Sequence, residues 1–210
     1  MEEEKTVSYD FSTLDEMLEK LRAYLKDPDD DAIRLKNKIK SMLMMCPELL
    51  WALNEENYQS ELFNADGTLN ETGEWDVYFG ENSLIRPFLF IPETQDIVSN
   101  YLCYQISTSE NMRYNDKMKY LIITFTILIH ENNSIDKETG IARHDLIASI
   151  LREKLAWSSV GLADAVPIYE DESVTDNNYI TKVLKYQIAL PNNLVVTKDD
   201  TTAFVNKFKE

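Results

Sequence analysis

The chain has 210 residues, of which 44% are hydrophobic and 28% are charged, and its formal net charge at pH 7 is −16. This length and balance fit one domain with a real core and exclude wholesale disorder. The acidic surplus excludes a surface that grips duplex DNA or anionic membrane, because such a surface needs clustered lysine and arginine.

The first predicted element is a helix over residues 12–26, STLDEMLEKLRAYLK. Ser12 or Thr13 is suited to cap it, and acidic residues follow in the first turn, where the helix dipole favours negative charge. Leucines recur every three or four residues and form an apolar stripe along one side. The sequence therefore predicts an amphipathic N-terminal helix.

A second helix, predicted from the aspartates at 29–31 through Met45, carries the only basic cluster of the sequence. Residues 32–47 hold four bases and no acid, between two strongly acidic segments. The bases are Arg34, Lys36, Lys38 and Lys40. They fit either a solvated face or a contact for an acidic partner surface, including a neighbouring copy of this chain. The stretch CPELLWALN predicts a third helix, with Pro47 near its first turn.

Residues 60–95 are less regular and are predicted to form a long loop, rim or lid. The pairs Asp66-Gly67 and Thr72-Gly73 indicate turns. Aromatic residues amid acids on such a loop fit satellite core positions or anchors for a partner. These candidates are Trp75, Tyr78 and Phe79.

The uncharged run YLIITFTILI, residues 120–129, is predicted to be the central strand of a sheet. It is about half the length that a membrane-spanning helix needs. Six of its ten residues are β-branched, which favours a strand over a helix. Both faces of that strand are largely apolar, so we expect both to be covered. Helices on one face and a neighbouring subunit on the other fit this pattern, and so does a central strand buried within a single subunit.

The remaining elements complete an α+β pattern. Before the central strand, DIVSNYLCYQISTS predicts another strand, either throughout or after a short helical turn, and residues 141–157 predict the clearest helix. AVPIYEDES predicts a short strand, and NNYITKVLKYQIAL predicts a long one. Lys182 interrupts the apolar face of the long strand near its start, where we expect a sheet edge to expose it.

The predicted fold class is α+β, an antiparallel sheet of about four strands with helices packed on it and an N-terminal helical extension. Residues 1–96 are predicted to be a helical and loop-rich extension within the same unit. Residues 97–200 are predicted to form the α+β core, and residues 201–210 a C-terminal tail.

Few residues suggest chemistry. His144 precedes Asp145, but adjacent helical residues point in different directions, so we do not expect them to share a proton. A metal-dependent nuclease needs acids near a lysine, and the best candidates are Asp171, Glu172 and Asp176 with Lys182. Cys46 and Cys103 stand far apart among apolar neighbours, which predicts two reduced core thiols.

The pattern of residues 97–190 resembles a family of small α+β proteins at the neck of tailed phages. The resemblance rests on YLCYQIST, KYLIITFTILIH and GIARHDLIASILREKL, followed by two more strands. The helix carries an Arg-x-Asp-Leu-Ile motif in Arg143, Asp145, Leu146 and Ile147. These phage proteins are the head–tail connectors and tail-terminator-type ring proteins. The resemblance covers rather less than half of the chain and places no counterpart on residues 27–96.

The resemblance implies a structural, non-enzymatic virion protein that forms a homo-oligomeric ring, commonly of six or twelve copies, around the DNA channel. It implies contacts with other neck, portal or tail proteins, with genomic DNA only as passing cargo. The protein would be made in the host cytoplasm and end in the neck or tail of the virion. No catalytic residue, cofactor, metal or membrane contact is expected.

Two other classes of function remain open on the sequence. An acidic cytosolic adaptor or inhibitor that mimics DNA would share the acid-rich surface but act as a monomer or dimer. A metal-dependent enzyme acting on nucleic acid would bind divalent metal at Asp171, Glu172 or Asp176.

Overall fold

The computed structural model describes residues 13–26, 31–53, 64–66, 68, 70, 76–79, 83–90, 99–109, 118–156, 165–175, 178–191, 194–196 and 202–204. The helices are α1 (Leu14–Lys26), α2 (Asp31–Met44), α3 (Pro47–Leu53), α4 (Asp76–Phe79) and α5 (Arg143–Ala156). The strands are β1 (Ile85–Arg86), β2 (Tyr101–Thr108), β3 (Met118–His130), β4 (Val166–Val174), β5 (Tyr179–Pro191), β6 (Leu194–Val196) and β7 (Thr202–Phe204). Across these ranges, none of the helices combines the length and apolarity that a membrane crossing requires.

α1 is capped by Thr13, one of the two capping residues that the sequence offered. The Thr13 hydroxyl accepts a hydrogen bond from the Glu16 N–H, and the Glu16 carboxylate accepts one from the Thr13 N–H, both at 3.2 Å. This reciprocal pair is a capping box, and it satisfies two N–H groups that have no partner inside the helix.

The main sheet has five strands in the order β1-β2-β3-β5-β4. Its pairs are antiparallel except for the short parallel pair β1–β2. The predicted α+β class is confirmed, and the long apolar strand β3 lies in the middle of the sheet, between β2 and β5. The sheet has one strand more than the four predicted, because Ile85 and Arg86 add a parallel edge beside β2.

The two faces of β3 are covered to different extents. On one face every side chain from Leu121 to Ile129 is buried, and this face packs beneath α5. On the other face Leu128 and His130 are buried, whereas Ile122 and Thr124 are only half-buried. The prediction that helices cover one face is confirmed. A neighbouring subunit over the other face stays a prediction.

α2 and α3 share the core of the sheet, whereas Leu14 and Leu21 of α1 are exposed. α3 packs on α5, and α2 packs on β2. Ile39, Leu43 and Leu49 belong to the same buried cluster as Phe125 and Ile147. Described residues from 31 to 53 are therefore structurally continuous with the α+β core, because their apolar stripes are buried against it.

The C-terminal end of α3 is fixed by side chains from distant parts of the chain. The last carbonyl groups of a helix have no partner inside it. Here the Tyr78 hydroxyl donates to the carbonyl of Leu50 at 3.3 Å, and the Asn100 amide donates to that of Leu53 at 3.2 Å. These bonds tie α4 and the start of β2 to a helix that is far away in sequence.

The structure also places regular elements near the C-terminus. β6 and β7 form a separate two-stranded antiparallel sheet, in which Leu194 pairs with Phe204. Residues 202–204, assigned to the tail by the sequence, thus extend as a strand.

Candidate functional site

A buried lysine lies at the centre of the most highly charged site in the described part of the chain. Lys182 is 7% exposed and projects from β5 on the same face of the sheet as α5. The β4–β5 register places Glu172 directly opposite it. Asp145 comes from the first turn of α5, which crosses above these strands. Two elements, α5 and β4, thus bring acids to an ammonium group that a third element, β5, supplies.

The ammonium nitrogen of Lys182 contacts three carboxylates. It lies 2.5 Å from Asp145 Oδ1, 3.1 Å from Glu170 Oε1 and 3.8 Å from Glu172 Oε2. The expectation that a sheet edge would expose Lys182 was wrong. β4 continues the sheet beyond β5, so Lys182 is covered, and the buried charge is neutralised by paired carboxylates as burial requires.

The pKa values of these groups shift as close pairing demands. The hydrogen bond from Lys182 lowers the pKa of Asp145, and the same lysine is the main cause that lowers the pKa of Glu170. Burial alone would lower the pKa of Lys182, but the hydrogen bonds to Asp145 and Glu170 outweigh it and raise that pKa. All three groups are therefore held in their charged forms.

His144 borders this cluster from the first turn of α5. Its Nε2 lies 3.3 Å from Glu172 Oε2 and 3.8 Å from Asp145 Oδ2. The second distance is too long for a hydrogen bond, which agrees with the expectation that His144 and Asp145 do not share a proton. Within the described residues, the buried Nδ1 of His144 has no hydrogen-bond partner.

The structure divides the acids that the nuclease interpretation had grouped. Glu172 faces Lys182, but Asp171 lies on the opposite face of β4 and accepts a hydrogen bond from the Tyr169 hydroxyl at 3.0 Å. Asp176 lies outside the described residues. Sequence reasoning did not place Asp145 or Glu170 beside Lys182, where the structure has both. Alternation along β4 could have shown that Glu170 and Glu172 share a face, because side chains in a strand alternate.

One triad in this cluster has the composition of a metal site. The nearest ligand atoms of His144, Asp145 and Glu172 all lie within 4.8 Å of one another. The ammonium group of Lys182, however, already lies against the two acids of this triad, Asp145 and Glu172. A second cation, the guanidinium group of Arg152, lies 2.5 Å from the neighbouring Glu170. A divalent ion here would have to overcome repulsion from the ammonium group. The arrangement is therefore best described as a closed ion-pair network.

The four bases of α2 separate into two groups. Arg34 and Lys38 lie on one side of the helix and Lys36 and Lys40 on another, because residues two apart do not face each other. Arg34, Lys38 and Lys40 are exposed. The ammonium of Lys36 instead donates to the carbonyl of Pro87 at 2.7 Å, which fastens α2 to the segment after β1.

The aromatic candidates of the long loop also differ in position. Tyr78 is fully buried, so its side chain belongs to the core and is not available to a partner. Phe79 is partly buried and packs against the same core. Trp75 lies outside the described residues.

Both cysteines and the second histidine have structural surroundings. Cys46 and Cys103 are buried free thiols, as predicted. His130 ends β3, where its Nδ1 accepts a hydrogen bond from the Asn132 N–H at 3.2 Å and its ring packs edge-on against Tyr179. These contacts fix the imidazole at the end of β3.

The two edges of the sheet differ sharply in exposure. All nine residues of β4 are exposed, including the apolar side chains of Val166, Ile168, Tyr169 and Val174. The opposite edge carries β1, with α2 packed nearby on β2. The long outer edge of β4 is a template for contact with another surface.

Comparison with known proteins gives one family relationship. The model of the YomW family matches residues 19–188, which is most of the chain. No curated protein matches the chain.

Proposed function

The chain belongs to the YomW family, a family of phage origin, and we propose that it is a structural virion protein that forms a homo-oligomeric ring at the head–tail neck. In this role it encircles the DNA channel as a connector or tail terminator. It acts without catalysis and without a cofactor.

The observation that carries this proposal is the open edge of the sheet. β4 exposes nine consecutive residues on an edge next to a well-packed core. Pro167, the register shift after it and the acids at 170–172 interrupt pairing along this edge, but the apolar side chains of Val166, Ile168, Tyr169 and Val174 remain exposed. A neighbouring subunit in a ring would cover these apolar side chains, which favours a structural role for the phage protein.

Charge supports the same role. The net charge of −16 disfavours binding to DNA phosphates, because there is no counterion release to drive it. A channel through which a genome must slide benefits from walls that do not hold it. The acid-rich segments 1–31 and 48–96 are the candidates for such a wall or rim.

The ion-pair network around Lys182 also favours a structural role. Each carboxylate near the ammonium group already has a cationic partner, so none is left as a free base or nucleophile. Such networks lock elements in register. Here the network fastens α5 to β4 and β5, and so it positions the exposed edge.

Native mass spectrometry of the purified full-length chain, over a range of concentrations and with or without magnesium, tests the ring. We expect a discrete closed species, with six and twelve copies as the leading values. A protein that stays monomeric or dimeric alone, and also fails to assemble when mixed with purified neck, portal and tail proteins, would refute the ring.

Location in the phage particle is tested separately. We expect the protein in purified virions, at a copy number that matches the ring, and antibody labelling at the junction of head and tail. Detection only in the soluble fraction of infected cells would contradict a virion component.

The acidic surface also fits one alternative function, that of an adaptor or inhibitor that mimics DNA. The two functions differ in stoichiometry, because a mimic works as a monomer or dimer whereas a connector closes a ring. Competition with DNA for a DNA-binding protein at equimolar concentration would favour the mimic. No competition together with a ring would favour the connector.

A further inference from the structure

We infer that β4 (Val166–Val174) is a strap that opens locally from the sheet, held closed by the carboxylates of Glu170 and Glu172 and released by acid. In the open state β4 separates from β5, while α5 and the other strands of the main sheet stay folded. This opening takes place within one subunit and is independent of the proposed ring.

β4 contributes no buried side chain to the core. Each of its nine residues is exposed, and its larger apolar side chains, Ile168 and Tyr169, are still 45% and 47% exposed. The neighbouring strand β5 differs, because Leu184, Tyr186 and Ile188 are all buried. Segments with few buried apolar contacts open at a lower free energy than the core. The well-packed core therefore extends to β5 and ends there.

The backbone pairing of β4 with β5 is interrupted near the start of β4. Pro167 has no N–H group to donate, and the register shifts between Pro167 and Tyr169. The other end of β4 runs into a closed hairpin, where the Thr175 N–H donates a hydrogen bond to the carbonyl of Tyr179 at 2.8 Å. β4 is thus held least firmly at its start, and the hairpin is the hinge about which it opens.

Ion pairs on the side of α5 supply the attachment that packing does not. Glu170 Oε1 lies 3.1 Å from the ammonium nitrogen of Lys182 and 2.5 Å from Nη2 of Arg152. Glu172 Oε2 lies 3.8 Å from the same ammonium nitrogen and 3.3 Å from Nε2 of His144. Two carboxylates of β4 therefore contact one cation of β5 and two side chains of α5.

Lys182 keeps a partner when β4 opens. Asp145 Oδ1 lies 2.5 Å from its ammonium nitrogen and belongs to α5, so this pair stays with the core. A buried charge that lost every partner would make the opening far more costly. Tyr186 of β5 also faces Glu170 and Arg152, and burial raises the pKa of its phenol, which keeps it neutral. The closed and open states thus differ mainly in the surroundings of the two carboxylates of β4.

Acid weakens the closed state through these carboxylates. The hydrogen bond from Lys182 is the main cause that lowers the pKa of Glu170. A lowered pKa contributes stability that is present above the pKa of the same group in the open state and is lost as the pH falls. In the open state the cations stay behind on α5 and β5, so a glutamate returns to its ordinary pKa of about 4.3. The open state therefore takes up protons, and its population rises below about pH 5.

Hydrogen exchange of the wild-type chain, followed by mass spectrometry in dilute solution, measures the opening without added protection from contacts between copies. Protection factors of β4 are compared with those of the centre of β3, since they correct for the intrinsic effect of pH on exchange. At pH 7 we expect β4 to be protected about a hundredfold less than β3, or less still. Between pH 7 and pH 4 we expect β4 to lose about a further tenfold relative to β3, which corresponds to one pKa unit of lost interaction.

Two variants assign the effect to the carboxylates. Glu170→Gln combined with Glu172→Gln removes both charges and keeps the size of the side chains. At pH 7 it is expected to show the low β4 protection of the acidified wild type, with little further change as the pH falls. The matched control is Asp171→Asn on the opposite face of β4, where Asp171 accepts a hydrogen bond from Tyr169 and the ammonium of Lys185 lies 4.7 Å from the Tyr169 ring centre. The control is expected to keep the pH-dependent opening.

β4 that is as well protected as β3 at pH 7 would overturn the inference, because the strand would then open only when the whole fold unfolds. Protection that falls equally in β4 and β3 at acidic pH would overturn it as well. A double glutamine variant that exchanges like Asp171→Asn would show that Glu170 and Glu172 do not hold the strap closed. Each of these outcomes leaves the proposed ring intact, because the copy number is measured separately.

Discussion

The guanidinium Nη1 of Arg143 donates a 2.8 Å hydrogen bond to the backbone carbonyl of Ala52, 91 residues earlier in the chain. That carbonyl belongs to the last turn of α3 and has no partner within the helix. The same guanidinium binds the carbonyl of Asn133 through Nε at 3.0 Å and lies 3.6 Å from Asp136 Oδ1. One buried side chain thus joins α3, the loop after β3 and the start of α5.

Replacing Arg143 is expected to destabilise the fold strongly. Arg143→Met keeps much of the apolar stem, but it leaves the buried Ala52 carbonyl and the part-buried Asn133 carbonyl without this donor and removes the cation beside Asp136, which costs about 3–5 kcal/mol. Arg143→Lys restores a charge but not the planar fork, so it should recover only part of the loss. Urea unfolding measures both variants. A loss below about 1 kcal/mol for Arg143→Met would show that the contact is not structural.

Lys182→Met is expected to lower stability by about 1–2 kcal/mol at pH 7, or about 2–8 °C in Tm, because it leaves half-exposed acids without their ammonium partner. The lowered pKa values of Asp145 and Glu170 contribute stability that is present above the pKa values of these groups in the unfolded chain and is lost as the pH falls. The raised pKa of Lys182 contributes stability that is present below the pKa of this lysine in the unfolded chain and is lost at high pH.

The difference in Tm between the wild type and Lys182→Met should therefore be largest near pH 7 and decrease towards pH 3. Lys185→Met is the matched control, since Lys185 lies on the same strand with its ammonium 4.7 Å from the centre of the Tyr169 ring, and it should cost less. A difference that does not change with pH would place the effect in packing instead of charge.

Leu53→Ala is expected to cost about 2–5 kcal/mol of unfolding free energy, because it opens a cavity in the core shared by α3 and the sheet. Leu53 is fully buried. Leu89→Ala is the control, since Leu89 is 46% exposed and should cost less than about 1 kcal/mol. Equal, small effects in chemical denaturation would mean that α3 is not part of the cooperative core.

The two thiols are expected to be inert in the folded protein. Burial raises the pKa of Cys46 to about 11 and also raises the pKa of Cys103. At pH 8 a thiol reagent should label Cys46 about a hundredfold or more slowly than an exposed cysteine, because the thiolate is the reacting form, and it should label Cys103 more slowly than an exposed cysteine as well. In guanidinium chloride both should react at once. Fast labelling in the native state would contradict their burial.

Local patterns were sufficient to predict most elements. β-branched residues identified β3 as a central strand, and the Thr13 cap and leucine spacing identified α1. The apolar stripe of α5 is buried as predicted, with Ile147 and Leu151 fully enclosed. These features follow from periodicity and capping, which act over a few residues.

The candidate site was only partly predictable. The sequence identified Lys182 and Glu172 as members of one charged set, yet it grouped them with Asp171, which lies on the other face of β4. It also left open whether Tyr78 was a partner anchor or part of the core. Its burial depends on α3, whose Leu50 carbonyl accepts its hydroxyl from 28 residues away.

The sequence by itself determined the acidic charge, the α+β class and the buried central strand, because composition and short-range periodicity govern these properties. Tertiary structure decided that Lys182 is buried, that Arg143 caps α3, and that β4 is an exposed outer strand of the sheet. Strand order and the crossing of α5 set these relationships. They join residues far apart in the chain, and short-range patterns carry no information about such distances.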